Sequence, residues 1–170
     1  MKINFQRGQI SYLSVRHNVN PTYISNFSFV LTKTTLGQSV LNMTGVALVE
    51  AKKTFFYLTL NGQKDLKNSN YDKLLLTGNI DTCKIGKDGV GNFIMKILLP
   101  NILEHATFLN CPQKKGEFHL REFPLTNLQF LPAYILPQSG KWELTIVGKG
   151  KFLKSTVPFL TVKMYGTRMA

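Results

Sequence analysis

The feature that most constrains the fold of this chain is a series of short apolar runs with a period of two, which is the period of β-strands. In the run at 23–35, Phe27 and Phe29 fall on one face of such a strand and Ser28 falls on the other. About seven or eight short strands, bounded by Gly, Pro and polar loops, predict an all-β sandwich. The other runs rich in β-branched and aromatic residues lie at 40–49, 54–61, 71–77, 117–123, 133–136, 142–147 and 156–165, and a further short strand candidate lies at 10–15, near the N-terminus.

One segment, near 92–105, departs from the strand period. Its apolar residues recur at helical spacing, Asn92 precedes them as a candidate N-cap, and Pro100 is expected to end or kink the helix. We therefore predict one short helical segment here. Its apolar residues are Phe93, Ile94, Ile97 and Leu98.

The length of the chain suits one domain. A chain of 170 residues buries roughly 70% of the surface that its unfolded form exposes, so folding requires neither a metal nor many disulfides. Proline restricts the backbone at Asn20-Pro21. We expect residues 1–21 to form a loosely attached N-terminal lead-in and residues 22–170 to form a single β-sandwich domain.

Composition and charge narrow the partners. With 44% hydrophobic and 18% charged residues the chain is not of the disordered class, and it has no stretch approaching the roughly 20 apolar residues of a membrane-spanning helix. The net charge of +12 favours an anionic partner. However, residues 1–83 carry nine basic and four acidic groups (+5), and residues 84–170 carry twelve and five (+7). Because the charge is spread along the chain, we do not expect a nucleic-acid partner.

Few residues offer catalytic chemistry. The chain has no nucleophile motif, phosphate-binding glycine loop or close pair of carboxylates, so we predict no catalytic residue and no cofactor. Cys83, His105, Cys111 and His119 could form a zinc site, but their spacing brings no two ligands together locally, and we predict no metal.

The two cysteines, 28 positions apart, leave two interpretations open. A disulfide would clamp the ends of the helical segment, whereas a cytosolic protein would keep two buried free thiols. Asn26 and Asn42 begin N-glycosylation sequons, which favours the secretory route when combined with paired cysteines. The first twenty residues contain no apolar run of the length that a signal peptide needs, so the expected signal is absent from them.

Several motifs resemble those of a known family. Ile80-Asp81-Thr82-Cys83 is followed by Phe108-Leu109-Asn110-Cys111-Pro112, by Gly116, by Pro132-x-Tyr134, and by Pro137 to Gly140-Lys141-Trp142. The chain thereby resembles the small secreted insect proteins that include the CheB chemosensory proteins. That group is similar to the ganglioside activator protein and to the ML lipid-recognition domains. The resemblance covers roughly residues 23–166.

This resemblance implies an immunoglobulin-like, ML-type β-sandwich whose sheets separate to hold a ligand, a disulfide between Cys83 and Cys111, and secretion to the extracellular space. It implies a non-enzymatic binding protein for a lipid or hydrocarbon in pheromone or contact-cue detection, with a cell-surface receptor as a candidate partner. We expect a monomer. The alternative is an interaction module that binds a receptor or an acidic glycan through its basic surface, without a pocket.

The residues expected at the walls or mouth of a ligand cavity are apolar residues of the helical segment and its surroundings. A solidly packed core also requires many aromatic residues, and the chain has twelve Phe and six Tyr. The sequence therefore leaves a cavity and a solid core as alternatives. The expected cavity residues are Phe93, Ile94, Ile97, Leu98, Phe108, Phe130, Leu131, Tyr134 and Trp142.

Overall fold

The computed structural model describes residues 10–63, 70–85, 99–100, 102–124 and 140–168. Within them the chain forms eight strands in two antiparallel sheets whose inner faces share a hydrophobic core. The predicted all-β sandwich is thus confirmed. The strands are β1 (Ile10–Val19), β2 (Ile24–Lys33), β3 (Ser39–Ala47), β4 (Lys53–Gly62), β5 (Lys73–Asp81), β6 (Gly116–Pro124), β7 (Gly140–Phe152) and β8 (Ser155–Arg168).

The larger sheet has the strand order β1-β8-β7-β4-β5, and the smaller has the order β2-β3-β6. Side chains in the middle of the larger sheet alternate as the period of two requires. In β4, for example, Thr54, Phe56 and Leu60 are buried, whereas Tyr57 is 40% exposed on the outer face.

Strand β1 shows how the N-terminal residues join the fold. The sequence suggests only a short strand at 10–15 within a lead-in. In the structure β1 pairs with β8 from Ile10 opposite Arg168 to Val19 opposite Leu160. These ten residues are therefore an edge strand of the larger sheet.

Glycines on the inner faces make room for phenylalanine rings near one end of the sandwich. A Cβ atom on Gly45 of β3 would lie 2.6 Å from the Phe118 ring, and one on Gly148 of β7 would lie 2.9 Å from the Phe159 ring. Phe56 meets Phe159 edge to face, with ring centroids 6.2 Å apart. The core at this end is consequently a layer of aromatic rings, which also border two small cavities of about 30 Å³ each.

Only part of the predicted helical segment falls among the described residues. Leu99, Pro100, Ile102 and Leu103 are helical, and residues 92–98 lie outside the described part of the chain. Of the two expectations for Pro100, that it ends the helix or kinks it, the first is wrong, because Ile102 and Leu103 after it are helical. The Pro100 carbonyl accepts a hydrogen bond from the Glu104 N–H at 3.3 Å, because proline lacks a donor but keeps its acceptor. The strand predicted at 133–136 also lies outside the described residues.

Candidate functional site

A cavity of about 130 Å³ lies between the two sheets. All sixteen of its lining residues are apolar, and they come from both sheets and from the segment between β5 and β6. The space is therefore suited to a hydrocarbon group. The lining residues are Phe29, Leu41, Met43, Phe56, Leu58, Ile80, Ile102, Phe108, Leu109, Leu120, Phe123, Leu144, Ile146, Leu160, Val162 and Met164.

The strand register explains where the cavity forms. Ile146 of β7 lies opposite Leu58 of β4 and Val162 of β8, so one row of inward-facing residues crosses three strands. Leu144 of β7 belongs to the neighbouring row of inward-facing residues. Leu58, Leu144 and Ile146 point towards the smaller sheet but are only half-buried, which means that the opposing sheet does not cover them completely.

Large side chains border the cavity along the strands. Two residues before Leu144, the side chain of Trp142 is 3% exposed and belongs to the main core without lining the cavity. Two residues after Ile146, Gly148 lies against the Phe159 ring, which belongs to the aromatic layer. Of the residues of β7, all of which the structure describes, Leu144 and Ile146 are therefore the two that line the cavity.

One wall of the cavity comes from the segment that precedes β6. Ile102, Phe108 and Leu109 line the space, and Phe108 packs edge to face on Phe56 at a centroid distance of 5.6 Å. This segment extends the edge of the smaller sheet, and its hydrogen bonds to β6 run from the Thr107 N–H to the His119 carbonyl (2.9 Å) and from the Arg121 N–H to the His105 carbonyl (3.0 Å).

A disulfide between Cys83 and Cys111 fastens this segment to the larger sheet. Cys83 lies in a 3₁₀ turn that directly follows β5, where its N–H donates to the Asp81 carboxylate at 3.0 Å. Both sulfur atoms lie 3.7 Å from the carbonyl oxygen of Lys52, immediately before β4. Because both sulfurs are bonded to each other, neither is available as a zinc ligand or as a nucleophile.

Two further contacts fix the ends of the bridge. The buried hydroxyl of Thr82 lies 2.8 Å from that of Thr54 and donates to the Thr54 carbonyl at 3.1 Å. Gln113 and Ala51 exchange two backbone hydrogen bonds, of 2.9 and 3.0 Å. The disulfide therefore joins two pieces of chain, each of which is also hydrogen-bonded to residues 51–54.

Two of the nine residues expected at the cavity fall among the residues that the structure describes. Phe108 lines the cavity, whereas Trp142 is a core residue next to it. Sequence reasoning missed the lining residues on the strands themselves, such as Leu58 and Ile146, although their inward position follows from the alternation. The other seven, which are Phe93, Ile94, Ile97, Leu98, Phe130, Leu131 and Tyr134, lie outside the described residues.

The two sequon asparagines differ in their surroundings. Asn26 is exposed at an irregularity of β2 and has a φ of 49°. Asn42 lies in the central strand of the smaller sheet, where its amide donates to Thr32 at 3.1 Å and accepts from the Glu122 N–H at 2.9 Å. Asn26 is therefore the more accessible of the two.

A polar cluster covers part of the outer face of the larger sheet. The pKa of Tyr165 is raised, chiefly by burial and secondly by its hydrogen bond with Glu143. Glu143 also pairs with Lys163 at 3.7 Å, and the Arg16 guanidinium lies 5.5 Å from the centre of the Tyr165 ring. These groups lie on the face opposite the cavity, so the cavity itself contains none of this charge.

Within the described ranges, no group of three or more His, Cys, Asp or Glu residues is arranged to hold a metal ion. The same ranges contain no helix of sufficient length and apolar character to span a membrane.

Fold and site together define a disulfide-bonded β-sandwich with an apolar cavity between its sheets. A family model described as a protein of unknown function, DUF1091, matches residues 58–144. That stretch is 87 of the 170 residues and contains β5, the disulfide, the cavity wall and β6. The chain belongs to this family. No curated protein matches the chain.

Proposed function

We propose that this protein is a non-enzymatic binding protein that holds a hydrophobic ligand between its two sheets. The observation that carries the proposal is the cavity lined by sixteen apolar side chains. An uncompensated polar group costs several kcal/mol when it is buried among such residues, roughly 2–7 kcal/mol. The bound part of the ligand is therefore hydrocarbon, and a polar head group stays at the mouth.

The volume of the cavity sets the size of that hydrocarbon part. A dry cavity of about 150 Å³ in another protein binds benzene, so 130 Å³ suits a group of about six carbons. At about 0.8 kcal/mol for each buried CH₂, six carbons contribute about 5 kcal/mol before ordering costs. Without ordering costs this would correspond to a dissociation constant between about 1 mM and 0.1 mM, so a group of this size alone is expected to bind more weakly than that.

Longer ligands gain affinity where the half-buried residues can be displaced. Drug-sized ligands occupy sites of about 300–1,000 Å³, so a long chain requires the cavity to extend past Leu58, Leu144 and Ile146. The wall formed by Ile102 and Phe108 is a second place for expansion, because both side chains are only half-buried.

The resemblance to the CheB proteins and to ML lipid-recognition domains supports a chemosensory ligand, such as a cuticular hydrocarbon or other lipid. We further propose that the protein works outside the cell, because disulfides persist in oxidising compartments and the Asn26 sequon is accessible. Occupancy of that sequon can be read by peptide mapping of protein expressed through a secretory pathway.

The test is native mass spectrometry of the secreted protein before and after organic extraction, followed by titration with a series of linear hydrocarbons. We expect an extractable apolar species. Affinity should rise about fourfold for each added methylene, until the chain fills the cavity and the affinity reaches a plateau.

Two neighbouring residues of β7 supply a matched pair of variants. Ile146→Trp fills the cavity, whereas Val147→Trp places the same ring on the outer face one residue later. We expect Ile146→Trp to abolish hydrocarbon binding with retention of the β circular-dichroism spectrum, and Val147→Trp to bind normally. Equal binding by both variants, or the lack of any bound apolar species, would favour the alternative of a basic interaction module without an internal ligand.

A further inference from the structure

The tertiary structure collects much of the positive charge at one end of the sandwich. Four ranges, 48–53, 81–85, 111–115 and 149–156, meet around the disulfide, and we refer to them as the lysine end. They contain eight lysines and two acidic residues, a net charge of +6. This is half of the net charge of the chain in 24 of its 170 residues.

Backbone contacts show that these ranges are neighbours. The Lys52 N–H donates to the Lys151 carbonyl at 3.0 Å, and Lys53 lies opposite Lys151 in the pairing of β4 with β7. Ala51 pairs with Gln113, which brings the range 111–115 to the same place. The disulfide adds Lys84 through its neighbour Cys83.

The lysines of this end are available to a partner. All except the half-buried Lys149 are exposed, and Lys149 lies 5.1 Å from the centre of the Tyr57 ring. Among the described residues, none of them forms an ion pair with an acidic side chain, since the salt bridge found there joins Lys163 to Glu143. Concentrated positive charge without such compensation attracts an anionic surface.

Exposed leucines accompany the lysines. Leu153 is 82% exposed in the two-residue turn between β7 and β8, and its φ of 51° lies in a region that favours glycine or asparagine. Leu48 is 40% exposed, and its N–H donates to the carbonyl of Tyr23, whose ring stacks on Phe152 at 4.1 Å. Both leucines therefore belong to the lysine end.

We propose that the lysine end docks on an anionic lipid surface, with Leu153 inserted among the acyl chains and the lysines at the head groups. A charged polymer such as an acidic glycan would engage the lysines and leave the exposed leucines in water. A bilayer engages both, because apolar insertion and attraction to anionic lipids act together. The inference is independent of the internal ligand.

The experiment measures co-sedimentation of the full chain with vesicles of phosphatidylcholine, with and without phosphatidylserine. Binding is expected only with phosphatidylserine and should weaken with added salt. Leu153→Asn should lower the partition coefficient about tenfold, since asparagine tolerates positive φ. Lys151→Gln and Lys154→Gln should each lower it about fivefold.

Leu36→Asn is the matched control. Leu36 is 87% exposed in the turn between β2 and β3, at the opposite end of the sandwich, and its replacement should leave vesicle binding unchanged. The proposal is overturned if the protein ignores phosphatidylserine vesicles, if Leu36→Asn weakens binding as much as Leu153→Asn, or if only heparin is bound and Leu153→Asn has no effect. Hydrocarbon titration of Leu153→Asn should match the wild type, which separates this proposal from that for the cavity.

Discussion

Replacing both cysteines with serine, as Cys83→Ser with Cys111→Ser, tests the role of the disulfide. The bond closes a loop of 28 residues, and the loop-closure entropy of the unfolded chain gives a stabilisation of about 3.6 kcal/mol at 25 °C. We expect the free energy of unfolding to fall by about this amount. Urea denaturation monitored by circular dichroism measures it, and reduction of the wild type is the parallel control.

The same variant should also change local motion. In the oxidised protein the disulfide ties Cys111, two residues before Gln113, to Cys83 and its 3₁₀ turn, which limits how far Gln113 can move from Ala51. After the bond is lost, that movement requires only the breakage of two backbone hydrogen bonds, of about 1 kcal/mol each. In hydrogen exchange, the amides of Ala51, Gln113 and Thr107 should therefore lose more protection than those of the central strand β7.

Two results would refute this reasoning. A loss of stability below about 1 kcal/mol would show that loop closure does not dominate. Equal loss of protection in β7 and around Gln113 would show that the bond acts on global unfolding alone and does not restrain the cavity wall.

The remaining predictions concern three other positions. Thr82→Val should cost about 1–3 kcal/mol because a buried hydroxyl loses its partner, as urea denaturation can measure against Thr82→Ser, which should cost less. Gly45→Ala should cost about 1–3 kcal/mol through its clash with the Phe118 ring, and Phe118→Leu should reduce that cost in the double variant; simple additivity would contradict this. Because the pKa of Tyr165 is raised above 10.0, the folded protein keeps a proton that the unfolded chain has lost, so this contribution to stability is full below pH 10 and falls as the pH rises further. Glu143→Gln should lower that pKa in a tyrosinate absorbance titration against Tyr165→Phe, and an unchanged titration would rule out the hydrogen bond as a cause.

The internal ligand and the lipid surface involve different parts of the molecule. The cavity lies in the middle of the sheets, and the aromatic layer around Phe118 and Phe159 lies between it and the end that carries Leu153. A variant can therefore lose one activity and keep the other. Ile146→Trp and Leu153→Asn form such a pair, and assaying both variants for hydrocarbon and vesicle binding tests the separation directly.

Local patterns of residues predicted most of the strands that the structure describes. The alternation of apolar and polar side chains is written along each strand, and runs such as 54–61 therefore predicted β4 closely. The sequence underestimated β1, whose exposed positions carry a weak pattern; its pairing with β8 is a long-range contact that no local period reveals. The Cys83–Cys111 bond followed from family resemblance, whereas spacing alone left it open.

Other properties arose only when distant residues met. The aromatic residues were compatible with both a solid core and a cavity, and the structure combines the two: phenylalanine rings pack closely against Gly45 and Gly148, and a cavity lined by aliphatic and aromatic side chains lies beside them. The separation of two sheets decides this, and no single strand encodes it. The concentration of charge is also a tertiary property, because the net charge of +12 is spread evenly along the sequence. Only the folding of four separate ranges onto one end concentrates half of it around Leu153.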